Sequence, residues 1–105
     1  MFKICSSKGF HIVFPNGITL STQFGGGNYC SNYNIKIGSE REMQGLSSPD
    51  AEIAIMTDKG WLTEEMIKDI FKDECPDDVL GNVRIDRWLQ IFDWCRNHEN
   101  VKMSP

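Results

Sequence analysis

The stretch Phe10–Phe24, FHIVFPNGITLSTQF, decides the fold because it holds two strand patterns joined by a turn. The first part, Phe10–Phe14, is an apolar and aromatic run of strand length. Over residues 18–24, large or β-branched side chains alternate with polar ones, which is the period of a strand with one buried face. Between them stands Asn16-Gly17, the strongest short hairpin signal, because both residue types tolerate positive φ. The stretch therefore predicts an antiparallel hairpin.

A third strand is predicted over Ala51–Thr57, where apolar residues occupy both faces. Strands that are apolar on both faces are typical of the covered centre of a sheet. After the turn at 58–60, Trp61-Leu62 is a candidate for a fourth strand.

The second half of the chain carries two helical patterns. Thr63 is predicted to cap a helix whose apolar stripe ends before Pro76, since proline disfavours helix in the residue ahead of it. Asp86 is predicted to cap a second helix over residues 87–97. The buried face of this second helix is predicted to hold Trp88, Leu89, Phe92 and Cys95, with Ile85 as a leading contact.

These elements predict an α+β fold: a small antiparallel sheet of three to four strands with a C-terminal amphipathic helix packed on one face. With 105 residues and 12.0 kDa, the chain has the length of a single domain, 1–105, with one core.

Composition excludes several function classes. A formal net charge of −4 makes the chain a poor candidate for binding nucleic acid, which needs clustered Lys and Arg. No apolar run approaches the about 20 residues of a membrane span, and the first eight residues lack the apolar core of a signal peptide. We therefore expect no membrane association.

The cysteine spacing argues against a metal centre. Cys5, Cys30, Cys75 and Cys95 form no C-x-x-C pair, whereas zinc sites normally draw closely spaced ligands. Two disulfides are conceivable, but nothing in the sequence indicates secretion, so reduced thiols are expected. No cofactor and no metal is predicted.

The segment Gly25–Asp50 is the first candidate binding region. It is long for a connection without regular structure, and such segments are often functional. Consecutive glycines let backbone N–H groups approach a ligand, while amides and tyrosines add donors and stacking surfaces. The alternative is a bulge or long loop whose glycines only relieve steric crowding. The predicted contact residues are Gly25, Gly26, Gly27, Asn28, Tyr29, Asn32 and Tyr33.

An acidic stretch is the second candidate. Its carboxylates could face a basic partner, or they could form a solvated rim. The residues concerned are Asp73, Glu74, Asp77 and Asp78.

A catalytic reading has one possible basis. Cys30 and His11 could form a thiolate–imidazole pair, but only if the loop folds back over the first strand. A lone histidine in a strand and a cysteine among small residues are more often structural. No catalytic residue is therefore predicted, and the chain is not expected to be an enzyme.

The sequence resembles a group of small proteins encoded by bacteriophages and prophages. The resemblance rests on Lys8-Gly9-Phe10-His11, Gln23–Asn32, Ala51–Ile55 with Gly60-Trp61, and Asp78–Gly81 before an acidic-capped helix. It covers most of the chain apart from residues 33–46 and 63–76. It transfers no catalytic residue, because it implies a context and not an activity.

That context gives the functional expectation. Small accessory proteins of such elements often bind and disable a host defence system, so the resemblance implies a non-enzymatic protein that binds a bacterial host protein in the host bacterial cytoplasm, plausibly inhibiting a system such as CRISPR-Cas. The alternative is a small-ligand module whose glycine loop holds a nucleotide or signalling molecule. A homo-oligomer is possible, because a small sheet leaves edges that must be protected or paired.

Overall fold

The computed structural model describes residues 1–5, 8–72 and 78–99. The α+β prediction is confirmed, and the sheet is larger than expected, with six strands among the described residues. The elements in chain order are β1 (Phe2–Cys5), β2 (Gly9–Val13), β3 (Thr19–Gln23), α1 (Glu40–Met43), β4 (Asp50–Thr57), β5 (Gly60–Trp61), α2 (Thr63–Phe71), β6 (Leu80–Arg84) and α3 (Ile85–Asn97).

The predicted hairpin is confirmed as β2 and β3, which pair antiparallel with Ile12 opposite Leu20. Its turn is closed by the Phe14 N–H, which donates to the Ile18 carbonyl at 2.8 Å. Gly17 has a φ of 87°, which is the left-handed conformation that the Asn-Gly signal anticipates. Local sequence therefore specifies this part of the fold.

Strand β1 is an addition to the predicted sheet. It pairs antiparallel with β2, with Phe2 opposite Ile12 and Ile4 opposite Phe10. The strand order β1-β2-β3-β4-β5 leaves β1 at one edge of the described sheet.

Strand β4 is central, as predicted. It pairs with β3 on one side, while β5 and β6 pair with its two ends. Since Met56 pairs with both Thr19 and Trp61, and Ile53 with both Thr22 and Leu80, β5 and β6 must share the second edge. On the face away from the helices, Ala54 is buried but its neighbours in β4 are partly exposed, so the described part of the chain covers β4 fully on one face only.

Thr63 fills the gap between β5 and β6. Its hydroxyl accepts from the Ile55 N–H at 2.9 Å and donates to the Asp78 carbonyl at 2.7 Å. The prediction that Thr63 caps α2 is wrong: the N-cap is Leu62, without a side-chain cap. The hydroxyl bonds to the sheet instead, because neither β5 nor β6 pairs with Ile55 at this point of the edge that they share.

The core lies between the sheet and helices α2 and α3. Thr22 of the sheet accepts a hydrogen bond from Trp88 Nε1 at 2.8 Å, which fixes α3 across β2 and β3. The buried apolar residues are Phe14, Ile18, Leu20, Ala51, Ile53, Ile55, Met66, Ile67, Val83, Ile91 and Cys95.

The start of α3 corrects the cap prediction. The helix begins at Ile85, its N-cap is Arg84, and no side chain caps it. Asp86 lies inside the first turn, where a negative charge suits the helix dipole.

The buried face of α3 is also narrower than predicted. Cys95 is buried, and Trp88 and Phe92 pack against the core. Leu89 and Ile85, however, are exposed, so their assignment to the buried face is wrong. The inner position is taken by Ile91, because residues three and four apart share a helix face while Leu89 lies about 100° around the helix from Trp88.

Candidate interaction surface

Residues 25–49, called the polar segment below, connect β3 to β4 and contain one short helix, α1. Gly25 and Gly26 are buried within it. A Cβ atom on Gly26 would overlap the carbonyl oxygen of Ile35, and Gly27 adopts a φ of 82°. Glycine is therefore required at 26 because no side chain fits there, and it is favoured at 27 because of the positive φ.

The amides of Asn28 and Asn32 face inward. Asn28 Oδ1 accepts from the Gly25 N–H at 3.0 Å, and its Nδ2 donates to Glu52 Oε1 at 3.2 Å. Asn32 Nδ2 donates to the carbonyls of Phe24 at 2.7 Å and Ser47 at 3.0 Å. Both side chains are buried, so their hydrogen bonds hold the segment together.

Asp50 anchors the polar segment to the sheet. Its carboxylate accepts from the Ser31 N–H at 2.6 Å and the Ser31 hydroxyl at 2.9 Å, and also from Ser48 and Asn82. Desolvation would raise the pKa of Asp50, but the hydrogen bonds from Ser31, Asn82 and Ser48 outweigh it and lower that pKa below its ordinary value. The charged carboxylate is therefore the form that the fold favours.

Among the predicted contact residues of the polar segment, Tyr29 and Tyr33 keep their side chains at the surface. Their rings stack with centroids 5.9 Å apart and an interplanar angle of 9°, and each is half-exposed. Beside them lie Gly81 and Asn82, whose N–H donates to the Tyr29 carbonyl at 2.9 Å. The two stacked rings line a shallow pocket beside Gly81 and Asn82 of β6.

Cys30 lies buried inside the polar segment. Its thiol donates to the Gly25 carbonyl at 3.7 Å and accepts from the Asn32 N–H at 3.4 Å. Burial raises the pKa of Cys30, which disfavours the thiolate that a nucleophile requires. His11 sits within β2, opposite Ser21 of β3.

The acidic candidates are described only in part. Asp73, Glu74 and Asp77 lie outside the described residues. Asp78 is exposed, and its carbonyl is the acceptor for the Thr63 hydroxyl.

A second surface, absent from the sequence prediction, carries exposed apolar side chains of β1 and α3. Phe2 is 82% exposed, Ile4 86%, Ile85 68% and Leu89 53%. These residues of β1 and α3, together with the aromatic residues that lie between them, are called the apolar face. It consists of Phe2, Ile4, Phe10, Phe24, Ile85, Trp88 and Leu89.

A cleft of about 230 Å³ forms the centre of the apolar face. Phe10 meets Trp88 edge to face, with centroids 6.4 Å apart, and together they form one wall. The other apolar lining residues are Phe24, Pro49, Ala51, Val83 and Ile85. Thr22, Ser48 and Asp50 add polar groups to a cleft that is otherwise apolar.

One sequence signal for this face was available. Phe2-Lys3-Ile4 alternates apolar and polar residues as a strand does, although it is short. The exposure of Ile85 and Leu89 carries no such signal, because their apolar character fits a core position equally well.

Comparisons of the chain with protein-family models, curated proteins and solved structures found no match. Within the described ranges, no helix has the length and apolar character needed to cross a membrane.

Proposed function

We propose that the chain is a non-enzymatic protein-binding module and that the apolar face is its contact surface. The observation that carries the proposal is the cluster of exposed apolar side chains around an aromatic cleft. Single exposed hydrophobic residues are ordinary on protein surfaces, whereas contiguous ones mark interaction sites.

The contiguity follows from the contacts. Ile4 lies opposite Phe10 on the neighbouring strand, and Phe10 packs on Trp88. Ile85 and Leu89 lie four residues apart on α3 and therefore share one flank of that helix. A partner side chain of apolar character could enter the cleft and rest on Trp88, which belongs to the residue types enriched in binding hot spots.

The edge strand adds backbone donors and acceptors to the same surface. Met1 and Val13 exchange two hydrogen bonds, of 2.7 and 2.8 Å. Because such pairs alternate along an antiparallel ladder, Phe2 and Ile4 direct their N–H and C=O groups away from β2. An extended partner segment could pair with this edge while its side chains meet the apolar face.

The biological setting of the proposal comes from the sequence resemblance alone. It supports a phage or prophage accessory protein that acts in the cytoplasm of the bacterial host and inhibits a defence system such as CRISPR-Cas. The partner is then a bacterial host protein.

The test is capture of host proteins from a bacterial lysate by the immobilised chain and by two variants, Ile4→Asp and Leu89→Asp. We expect each variant to fold and to lose at least tenfold of the captured partner, because a buried unpaired charge opposes association. Met43→Asp is the matched control, since Met43 is about as exposed as Ile4 but lies on α1 in the polar segment. Equal capture by the wild type and both variants would refute the proposal.

The second candidate, a small-ligand module, rests on the stacked pair Tyr29 and Tyr33 beside the shallow pocket at Asn82. A planar ligand that stacks there would raise the melting temperature by mass action. A panel of nucleotides tested by thermal shift, with Tyr29→Ala as the comparison, separates the two candidates: a shift that Tyr29→Ala abolishes supports the ligand module, and no shift removes it.

A further inference from the structure

We propose that Glu65, Asp69 and His98 form a binding site for a divalent transition-metal ion that joins α2 to the C-terminal end of α3. One potential ligand atom from each of the three side chains lies within 4.8 Å of the other two. The site is separate from the apolar face and does not depend on the proposed partner binding.

Two helices supply the ligands. Glu65 and Asp69 lie four residues apart on α2 and therefore project from the same side of that helix. His98 directly follows the last residue of α3, and its N–H donates to the Trp94 carbonyl at 2.8 Å. An ion held by all three would connect elements that are far apart in sequence.

Trp94 orients two of the three ligands. Its Nε1 donates to Asp69 Oδ2 at 3.1 Å, and its ring stacks on the His98 imidazole with centroids 4.0 Å apart and an interplanar angle of 18°. Asn16 further fixes the backbone here by donating to the His98 carbonyl at 2.9 Å. Metal ligands are commonly held in place by such neighbouring groups.

The donor set selects the class of ion. One imidazole nitrogen with two carboxylates suits Zn²⁺, Co²⁺ or Ni²⁺, whereas Mg²⁺ and Ca²⁺ prefer oxygen ligands alone. Without an ion, His98 Nε2 lies 2.9 Å from Glu65 Oε2 as a hydrogen-bonded pair. On binding, the ion takes the place of the hydrogen between these two atoms, so the imidazole coordinates through Nε2 as the neutral tautomer that carries its proton on Nδ1.

The consequence would be a metal-dependent link between the helices. Because the ion binds the folded arrangement of α2 and α3, it would stabilise the native state by mass action. Asp69 would keep its bond to Trp94 and contribute its other carboxylate oxygen.

The test titrates the purified full chain with Co²⁺, followed by its visible absorption and by the melting temperature. We expect saturable binding and a rise in melting temperature, with no thiolate-to-metal charge-transfer band, since none of the cysteines in the described part of the chain belongs to the site. His98→Ala and Glu65→Gln should each weaken binding at least tenfold. Glu64→Gln is the matched control: it removes a neighbouring carboxylate that pairs with Lys68 at 2.9 Å but lies outside the cluster.

Several results would overturn the site. These are no saturable binding, a thiolate charge-transfer band, or unchanged affinity in both His98→Ala and Glu65→Gln. The metal-free melting temperatures of the variants show whether the fold is retained. If His98→Ala fails to fold, Glu65→Gln decides, because its amide keeps the size of the side chain while losing the charge that the ion requires.

Discussion

The polar segment and the apolar face use their side chains in opposite ways. Asn28 and Asn32, whose types suggest recognition, are buried and bond within the chain. Ile4 and Leu89, whose types suggest a core, stand in solvent. Residue type alone therefore does not show which of these side chains are exposed on this molecule.

The reason for the contrast is the cost of leaving buried polar groups without partners. A 25-residue connection without strands has many backbone groups that no ladder satisfies, and the buried amides and the Asp50 carboxylate satisfy them. The apolar face differs because most of its backbone lies in β1, β2 and α3, and the outward backbone groups of β1 are at an exposed edge where water can reach them. Its side chains are free to serve another molecule.

The largest expected difference in stability is between the variants Ile91→Ala and Leu89→Ala. Ile91 is fully buried, so its truncation should cost about 3–4 kcal/mol of unfolding free energy through lost burial and a cavity. Leu89 lies two residues away on the same helix and should cost less than about 0.5 kcal/mol. Urea denaturation followed by tryptophan fluorescence measures both. Similar losses for the two variants would place Leu89 in the core and remove it from the apolar face.

A smaller effect is expected inside the polar segment. Gly26→Ala should destabilise the fold by about 3 kcal/mol, because the new methyl group meets the backbone carbonyl of Ile35, which cannot move without displacing the segment. Gly27→Ala has space and meets only the strain of positive φ, worth about 1 kcal/mol. Thermal melts of both variants give the comparison. If Gly26→Ala matches the wild type, the segment is loosely packed and its glycines regain a possible role in binding.

Asp50→Asn tests the charge that anchors the polar segment. We expect a loss of about 2 kcal/mol at pH 7, because hydrogen bonds to a charged acceptor are stronger than those to an amide. Since the folded-state pKa of Asp50 is lowered, its stabilisation is complete above the unfolded value of about 4 and disappears as pH falls through the folded value. The difference between the two proteins should therefore shrink on acidification below about pH 4. A difference that stays constant with pH would exclude the charge as its cause.

The smallest effect is expected in the reactivity of the buried thiols of the native protein. Burial raises the pKa of Cys95 to about 12 and also raises that of Cys30, so neither should react with iodoacetamide at pH 8 until the protein is denatured. Peptide mass spectrometry identifies the labelled sites. In Asp50→Asn, labelling of Cys30 should accelerate while Cys95 stays protected, because only the polar segment is loosened. Rapid labelling of Cys30 in the wild type would mean that the segment opens readily.

The hairpin and β4 could be predicted because their information is local: a period of two and an Asn-Gly turn. The helix caps could not, since Thr63 bonds to β4 and to the Asp78 carbonyl, neither of which is adjacent to it in sequence. The role of Gly26 depends on Ile35, nine residues further on, so no short pattern reveals it. The apolar stripe of α3 is also too wide to show from sequence which of Leu89 and Ile91 faces inward.

Asn16 gives the molecule a feature that matters for engineering. Its Nδ2 donates to the carbonyls of Cys95 and His98 at 2.8 and 2.9 Å, while Met1 pairs with Val13 on the same hairpin. Residues 1 and 98 are thus held at the hairpin-turn end of the sheet, opposite the end where the polar segment departs. A linker that joins residue 98 to residue 1, with the chain opened at the exposed Gly45, should therefore keep every strand pairing intact.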